Sequence, residues 1–196
     1  MNLPNKLTTS RFVLTALFLI ALFVKFPMNE TVALALFVLA SVTDWLDGAI
    51  ARQRKLITSF GILMDPLADK ILTCSAFIAF VGTRQIAAWM VVIIVSRELA
   101  ITGLRLLAAS KNQVLAAEGF GKHKTISQIT AIIAILVEAG YPQWGPVGQA
   151  LFGAPVFGQP WVAVFVEVSK VSAVALTLLS GGIYLWRNRG LYLSEN

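Results

Sequence analysis

Charge and soft metal ligands are what this sequence has least of. Only 13% of its 196 residues are Asp, Glu, Lys or Arg, against 57% hydrophobic. That balance is too apolar for an ordinary soluble domain and suits a bilayer. One cysteine, Cys74, excludes an intrachain disulfide; placed in an apolar run, it reads as a small buried side chain. One histidine, His123, stands between two lysines in a glycine-led turn and reads as a surface residue. There is no repeat of useful length and no stretch that reads as a soluble domain. No small-residue cleavage site follows the first apolar run, which ends at Val24, Lys25, Phe26 and Pro27, so that run reads as a retained helix and not a signal peptide.

What the chain does have is a series of apolar runs near residues 11–26, 31–51, 61–81, 86–108, 125–140 and 161–186. A bilayer-spanning helix needs about 20 mostly apolar residues. The expectation is therefore an all-α integral membrane protein, a single domain over 1–196, with six transmembrane helices and a short interfacial segment at the N-terminus. Lys and Arg favour one side of these spans: Lys6 and Arg11; Arg52, Arg54 and Lys55; Lys111, Lys122 and Lys124; Arg187 and Arg189, with little beyond Lys25 and Arg84 on the other. Such a bias marks the cytoplasmic side, placing both termini there and the protein in the inner (cytoplasmic) membrane. The formal charge of +6 then reflects anionic lipid headgroups and not nucleic acid, since the cations lie at membrane boundaries. The longest break, Gly140 to Pro160, is too rich in glycine and proline for a continuous helix. It is expected on the outer side as an interfacial hairpin anchored by Tyr141, Trp144 and Trp161.

Against this background four aspartates stand out. Asp44 and Asp47 are three apart, Asp65 and Asp69 four apart, so each pair shares a face of its helix. The segment between the pairs is long enough only to end one helix, turn and begin the next, which brings both pairs to one depth near the cytoplasmic surface. A carboxylate in a membrane costs at least about 2.5 kcal/mol at mid-depth, so four together call for bound positive charge. Oxygen ligands without His or Cys suit Mg²⁺ or Mn²⁺. Two such ions would use four carboxylates and leave positions open for phosphate oxygens, as in enzymes that cleave phosphoanhydrides or transfer phosphoryl groups. Gly48, Ala51 and Gly61 let backbones approach and leave room for a ligand.

The full pattern, Asp44-x2-Asp47-Gly48-x2-Ala51-Arg52-x8-Gly61-x3-Asp65-x3-Asp69, resembles at every specified position the signature of the CDP-alcohol phosphatidyltransferase family. The resemblance implies a six-helix membrane enzyme, usually a homodimer, that moves a phosphatidyl group from CDP-diacylglycerol to an alcohol and releases CMP. It implies that Asp44, Asp47 and Asp65 bind two divalent cations and that Asp69 both lies at the metals and acts as general base. It assigns Gly48, Ala51, Arg52 and Gly61 to the CDP moiety.

The acceptor is read from a second cluster. Arg97 and Arg105 are eight apart, about two turns along the fourth span, and Lys122 and Lys124 open the fifth. Four cations near the aspartates' surface make an anion pocket suited to a phosphate monoester. The segments PNKLTTSR, SRELAITGLR and GKHKT resemble the branch of the family whose acceptor is glycerol 3-phosphate. That likeness implies that Asn5 and Thr8 help hold the nucleotide and that Arg97, Arg105, Lys122 and Lys124 hold the acceptor phosphate. The bland alternative makes the two lysines membrane anchors and has Glu98 neutralise a neighbouring arginine. The same chemistry on inositol 1-phosphate is a second reading, and a divalent-cation transporter a remote one. Glu167 and Lys170, three apart in the last span, are expected to pair as a helix-packing contact.

Overall fold

The computed structural model describes the backbone of residues 3–54, 59–111, 113, 115 and 120–193, and the side chains of residues 10–43, 70–111, 113, 115 and 122–192. Among the described residues six long helices form: α1 (Leu3–Phe23), α2 (Asn29–Arg54), α3 (Ser59–Gly82), α4 (Ala88–Ser110), α5 (Phe120–Gly140) and α7 (Trp161–Arg187). A short α6 (Gly145–Phe152) precedes α7, and a single turn, α8 (Gly190–Leu193), follows it. Each long helix stands on one of the predicted apolar runs. Two stretches among the described residues are long and apolar enough to cross a bilayer, Lys122–Phe152 and Trp161–Arg187. Shorter apolar helical portions cover Ser10–Phe23, Asn29–Thr43 and Lys70–Gly82, while α4 is interrupted by Arg97, Glu98 and Arg105.

The helices pack in the ring order α1, α2, α5, α7, α4, α3, with α3 returning to α1 and also touching α5. The aromatic centre is built from Phe18, Phe37, Phe77 and Phe80, all without exposed surface; the rings of Phe18 and Phe37 lie 5.8 Å apart, tilted. Ile132, Ile135 and Leu136 of α5 and Val166, Ala173 and Val174 of α7 continue this core. The outer faces are apolar as well: Val13, Leu17 and Ile20 on α1, Val92, Leu99 and Leu106 on α4, and Val168, Val171 and Leu178 on α7 are exposed. Helices apolar all round belong in lipid, where close packing and not dehydration holds them together.

Two expectations change. The N-terminal interfacial segment is not a separate element, because α1 runs unbroken from Leu3 to Phe23. Pro4 is tolerated there since the first turn has no intrahelical partner for its backbone nitrogen. The outer segment is also richer than a hairpin. It folds as a 3-10 turn (Tyr141–Trp144), α6, and then a two-stranded antiparallel ribbon of β1 (Pro155–Val156) and β2 (Gln159–Pro160), so the chain is not strictly all-α.

The aromatics expected to anchor the outer segment also make hydrogen bonds and ring contacts within the protein. Tyr141 is buried, Trp144 Nε1 donates to Thr31 Oγ1 at 2.7 Å, and Trp161 Nε1 donates to the Leu151 carbonyl at 2.8 Å while stacking on Phe152. Gln143 donates to Glu30 at 2.8 Å and accepts from the Met28 N–H at 2.7 Å, pinning the cap to the start of α2. A side chain at Gly148 would put Cβ 2.3 Å from the Tyr141 carbonyl oxygen, so only glycine lets α6 lie down on the turn. Val147, Leu151, Val156 and Phe157 are the outer segment's exposed large apolar side chains; Phe157 is 95% exposed at the ribbon tip with a left-handed φ of 51°.

Lys170 and Glu167 pair as expected. Lys170 Nζ lies 2.6 Å from Glu167 Oε1 and donates to the Gln85 carbonyl at 3.1 Å. The lysine is buried, whereas the Glu167 side chain is 66% exposed.

Candidate active site

The helical backbone of α2 carries Asp44 and Asp47, and that of α3 carries Asp65 and Asp69. The side chains of these four aspartates, and those of Asn5, Thr8, Gly48, Ala51, Arg52 and Gly61, lie outside the described residues. Among the described residues no three His, Cys, Asp or Glu side chains gather as a metal site. The four aspartates are an oxygen-only donor set of the kind that fits a hard divalent cation.

The described part of the site begins one residue after Asp69, at Lys70. Its Nζ donates to the Glu98 carbonyl at 3.2 Å and to the Thr102 hydroxyl, and lies 3.8 Å from Glu98 Oε2. Thr102 in turn donates to the same carbonyl at 2.7 Å. Glu98 itself is 4% exposed. Its Oε1 meets Lys124 Nζ from the start of α5 and Arg97 Nη1 at 3.2 Å. An uncompensated carboxylate in such a place costs on the order of several kcal/mol; here α3, α4 and α5 each supply a cation.

The last long helix forms the rear of this cluster. Arg97 Nη2 donates to Ser180 Oγ at 3.3 Å. Arg105 Nε donates to the Tyr184 hydroxyl at 3.3 Å, with its guanidinium 5.6 Å from the centre of that ring. A side chain at Gly181 would put Cβ 2.7 Å from Arg97 Cγ, so α7 and the arginine meet at a glycine. One turn earlier, Gln128 of α5 donates to Thr177 at 3.0 Å, keeping the polar seam between α5 and α7 paired.

Three cationic side chains thus surround one carboxylate, Lys70, Arg97 and Lys124 against Glu98, while Arg105 lies two turns along α4 on Tyr184. Arg97 Nε is buried and meets no acceptor among the described residues. Surplus positive charge of this kind can be balanced by an anion. Of the four residues predicted for the acceptor phosphate, the structure brings Arg97 and Lys124 together and sets Arg105 on the same face of α4. Lys122 stands exposed outside this network. The bland alternative, in which Glu98 neutralises a neighbouring arginine, captures part of the arrangement, since Glu98 holds Lys124 as well.

Sequence reasoning missed Lys70 and the backing from α7. Lys70 had one signal, its place directly after the aspartate motif. Ser180, Gly181 and Tyr184 had another: with Thr177 they mark one side of an otherwise apolar helix at three- and four-residue spacing.

Comparison with known proteins points to the same chemistry. The profile of the CDP-alcohol phosphatidyltransferase family matches residues 1–179. A CDP-diacylglycerol–glycerol-3-phosphate 3-phosphatidyltransferase of Bacillus subtilis is 43% identical over 148 residues, 69% of this chain and 77% of that protein. A probable phosphatidylglycerophosphate synthase of Mycobacterium tuberculosis is 36% identical over 189 residues, 95% of this chain and 81% of the relative. A CDP-diacylglycerol–glycerol-3-phosphate 3-phosphatidyltransferase of Rickettsia bellii is 30% identical over 169 residues, covering 85% of this chain and 90% of its own.

Proposed function

Because the chain belongs to the CDP-alcohol phosphatidyltransferase family, we propose that it transfers the phosphatidyl group of CDP-diacylglycerol to glycerol 3-phosphate, giving phosphatidylglycerophosphate and CMP. The family's members are membrane proteins that use divalent cations. For this chain the reading is a six-span protein of the cytoplasmic membrane, working as a homodimer with its site toward the cytoplasm. The observation that carries the choice of acceptor is the surplus of positive charge around Glu98, which begins one residue after the aspartate motif.

In this reading Asp44, Asp47, Asp65 and Asp69 hold two Mg²⁺ or Mn²⁺ ions, which supply Lewis-acid polarisation of the phosphoanhydride when bound. Asn5, Thr8, Gly48, Ala51, Arg52 and Gly61 seat the CDP group, while the acyl chains stay in lipid. Arg97, Arg105 and Lys124, with Lys122 at the entrance, grip the phosphate of the acceptor and aim its primary hydroxyl. Asp69 takes the hydroxyl proton as the oxygen attacks the phosphatidyl phosphorus. The new P–O bond forms as the bond to CMP breaks, and CMP leaves with the electron pair.

The test is CMP release by purified protein in liposomes containing CDP-diacylglycerol, with glycerol 3-phosphate, inositol 1-phosphate, glycerol and no acceptor compared side by side. Glycerol 3-phosphate should be preferred by a wide margin, chelation of divalent cations should stop the reaction, and Asp69→Asn should serve as an inactive but inserted blank. Preference for inositol 1-phosphate would replace the acceptor. Turnover that survives exhaustive chelation, or persists in Asp69→Asn, would refute the roles given to the aspartates.

A further inference from the structure

We propose that Glu98 is a positioning residue for the acceptor phosphate: a built-in anion that holds Lys124 and Arg97 at one point, so that the phosphate meets cations already in place. This rests on the reading of Arg97, Arg105 and Lys124 as the acceptor pocket, and adds to it a residue of opposite charge.

Two buried cations from different helices do not share a small volume unaided. Lys124 is 5% exposed and Arg97 is only partly exposed, yet both reach the same oxygen, Glu98 Oε1. Without that oxygen their repulsion, weakly screened in a low-dielectric surrounding, would drive the lysine toward cytoplasmic water and the arginine deeper onto Ser180. The carboxylate also does not exhaust the charge around it. Lys70 is occupied by the Glu98 carbonyl and Thr102, and Arg97 keeps a buried Nε with no acceptor among the described residues. Glu98 is therefore strong enough to gather the cations and too small to neutralise them, which leaves room for a second anion. Its main-chain carbonyl extends the effect to α3: by holding Lys70 it fixes the residue that follows Asp69, so the acceptor pocket and the aspartate helix share one joint. The other buried lysine, Lys170, shows no such surplus of cations: Glu167 pairs with it and Glu138 lies near.

The test compares Glu98→Gln, which keeps the size and loses the charge, with Glu98→Asp, which keeps the charge and draws it back. Glu98→Gln should raise the apparent KM for glycerol 3-phosphate roughly tenfold or more, leave the KM for CDP-diacylglycerol within about twofold, and lower kcat less than it raises the acceptor KM. Glu98→Asp should recover part of the loss. Combined with Lys124→Met, the KM effect of Glu98→Gln should shrink, because the two act through one contact. If Glu98→Gln does not accumulate in membranes, Glu98→Asp carries the test alone and must still raise the acceptor KM selectively. An acceptor KM that is unchanged or lower, or a lower melting temperature with both KM values unmoved, would overturn the proposal. Arg105→Ala, run in parallel, separates the two layers. If it leaves the acceptor KM unchanged, the pocket reading fails; if it raises that KM while Glu98→Gln does not, only the role of Glu98 fails.

Discussion

Each end of the bundle buries a lysine against a glutamate, and the two pairs are built differently. Lys170 meets one carboxylate and one main-chain carbonyl, and its partner Glu167 is largely hydrated. Glu138 of α5 adds a second acid near that lysine, so acids outnumber the cation there. Lys124 meets a carboxylate that is itself buried and already engaged by Arg97 and faced by Lys70, with Arg105 two turns further along α4. Burial of charge is therefore not what marks a functional site in this protein. The sign of the imbalance is what differs: acids outnumber the lysine at one end, while at the other cations exceed the one acid and can take an anion from outside.

Three substitutions probe that contrast. The largest effect is expected from Arg97→Ala, which removes a guanidinium whose partners are Glu98 and Ser180. kcat/KM for glycerol 3-phosphate should fall about a hundredfold or more, measured as CMP release against acceptor concentration. A smaller effect should follow from Gly181→Ala, whose Cβ would lie 2.7 Å from Arg97 Cγ and must push the arginine aside. We expect roughly a fivefold rise in acceptor KM and a stability loss of about 1 kcal/mol. The smallest is Lys170→Met: activity within about twofold of the parent, and melting in detergent changed by no more than about 1 kcal/mol, because Glu167 can hydrate. Should Lys170→Met raise the acceptor KM as Arg97→Ala does, the two ends do not differ in kind.

Much of this was legible in the residues. The six apolar runs fall on the six long helices among the described residues, because breaks between helices need proline, glycine or charge. The pairing of Glu167 with Lys170 follows from their three-residue spacing, and Arg97 announces itself as a cation deep in an apolar run. What was not legible depends on helices distant in sequence. Nothing local to Ser180 or Tyr184 says that α7 packs on α4, and nothing local to Glu98 says that Lys124, 26 residues on, will reach it. The partners of Trp144 and Trp161 were not legible for a related reason. Aromatics near a membrane boundary are common as interfacial anchors, but here hydrogen-bond acceptors on Thr31 and Leu151 hold their indole nitrogens.

The position of α7 between α4 and α5 also bears on how the protein comes into being. Ser180 and Tyr184, which steady the two arginines, are synthesised after every other long helix described here, so a nascent chain already carrying the aspartate motif still lacks the back wall of the proposed acceptor pocket. Competence would then arrive in a single late event, when the final long segment slots into the ring, leaving partly inserted chains poorly able to draw on the cell's activated lipid.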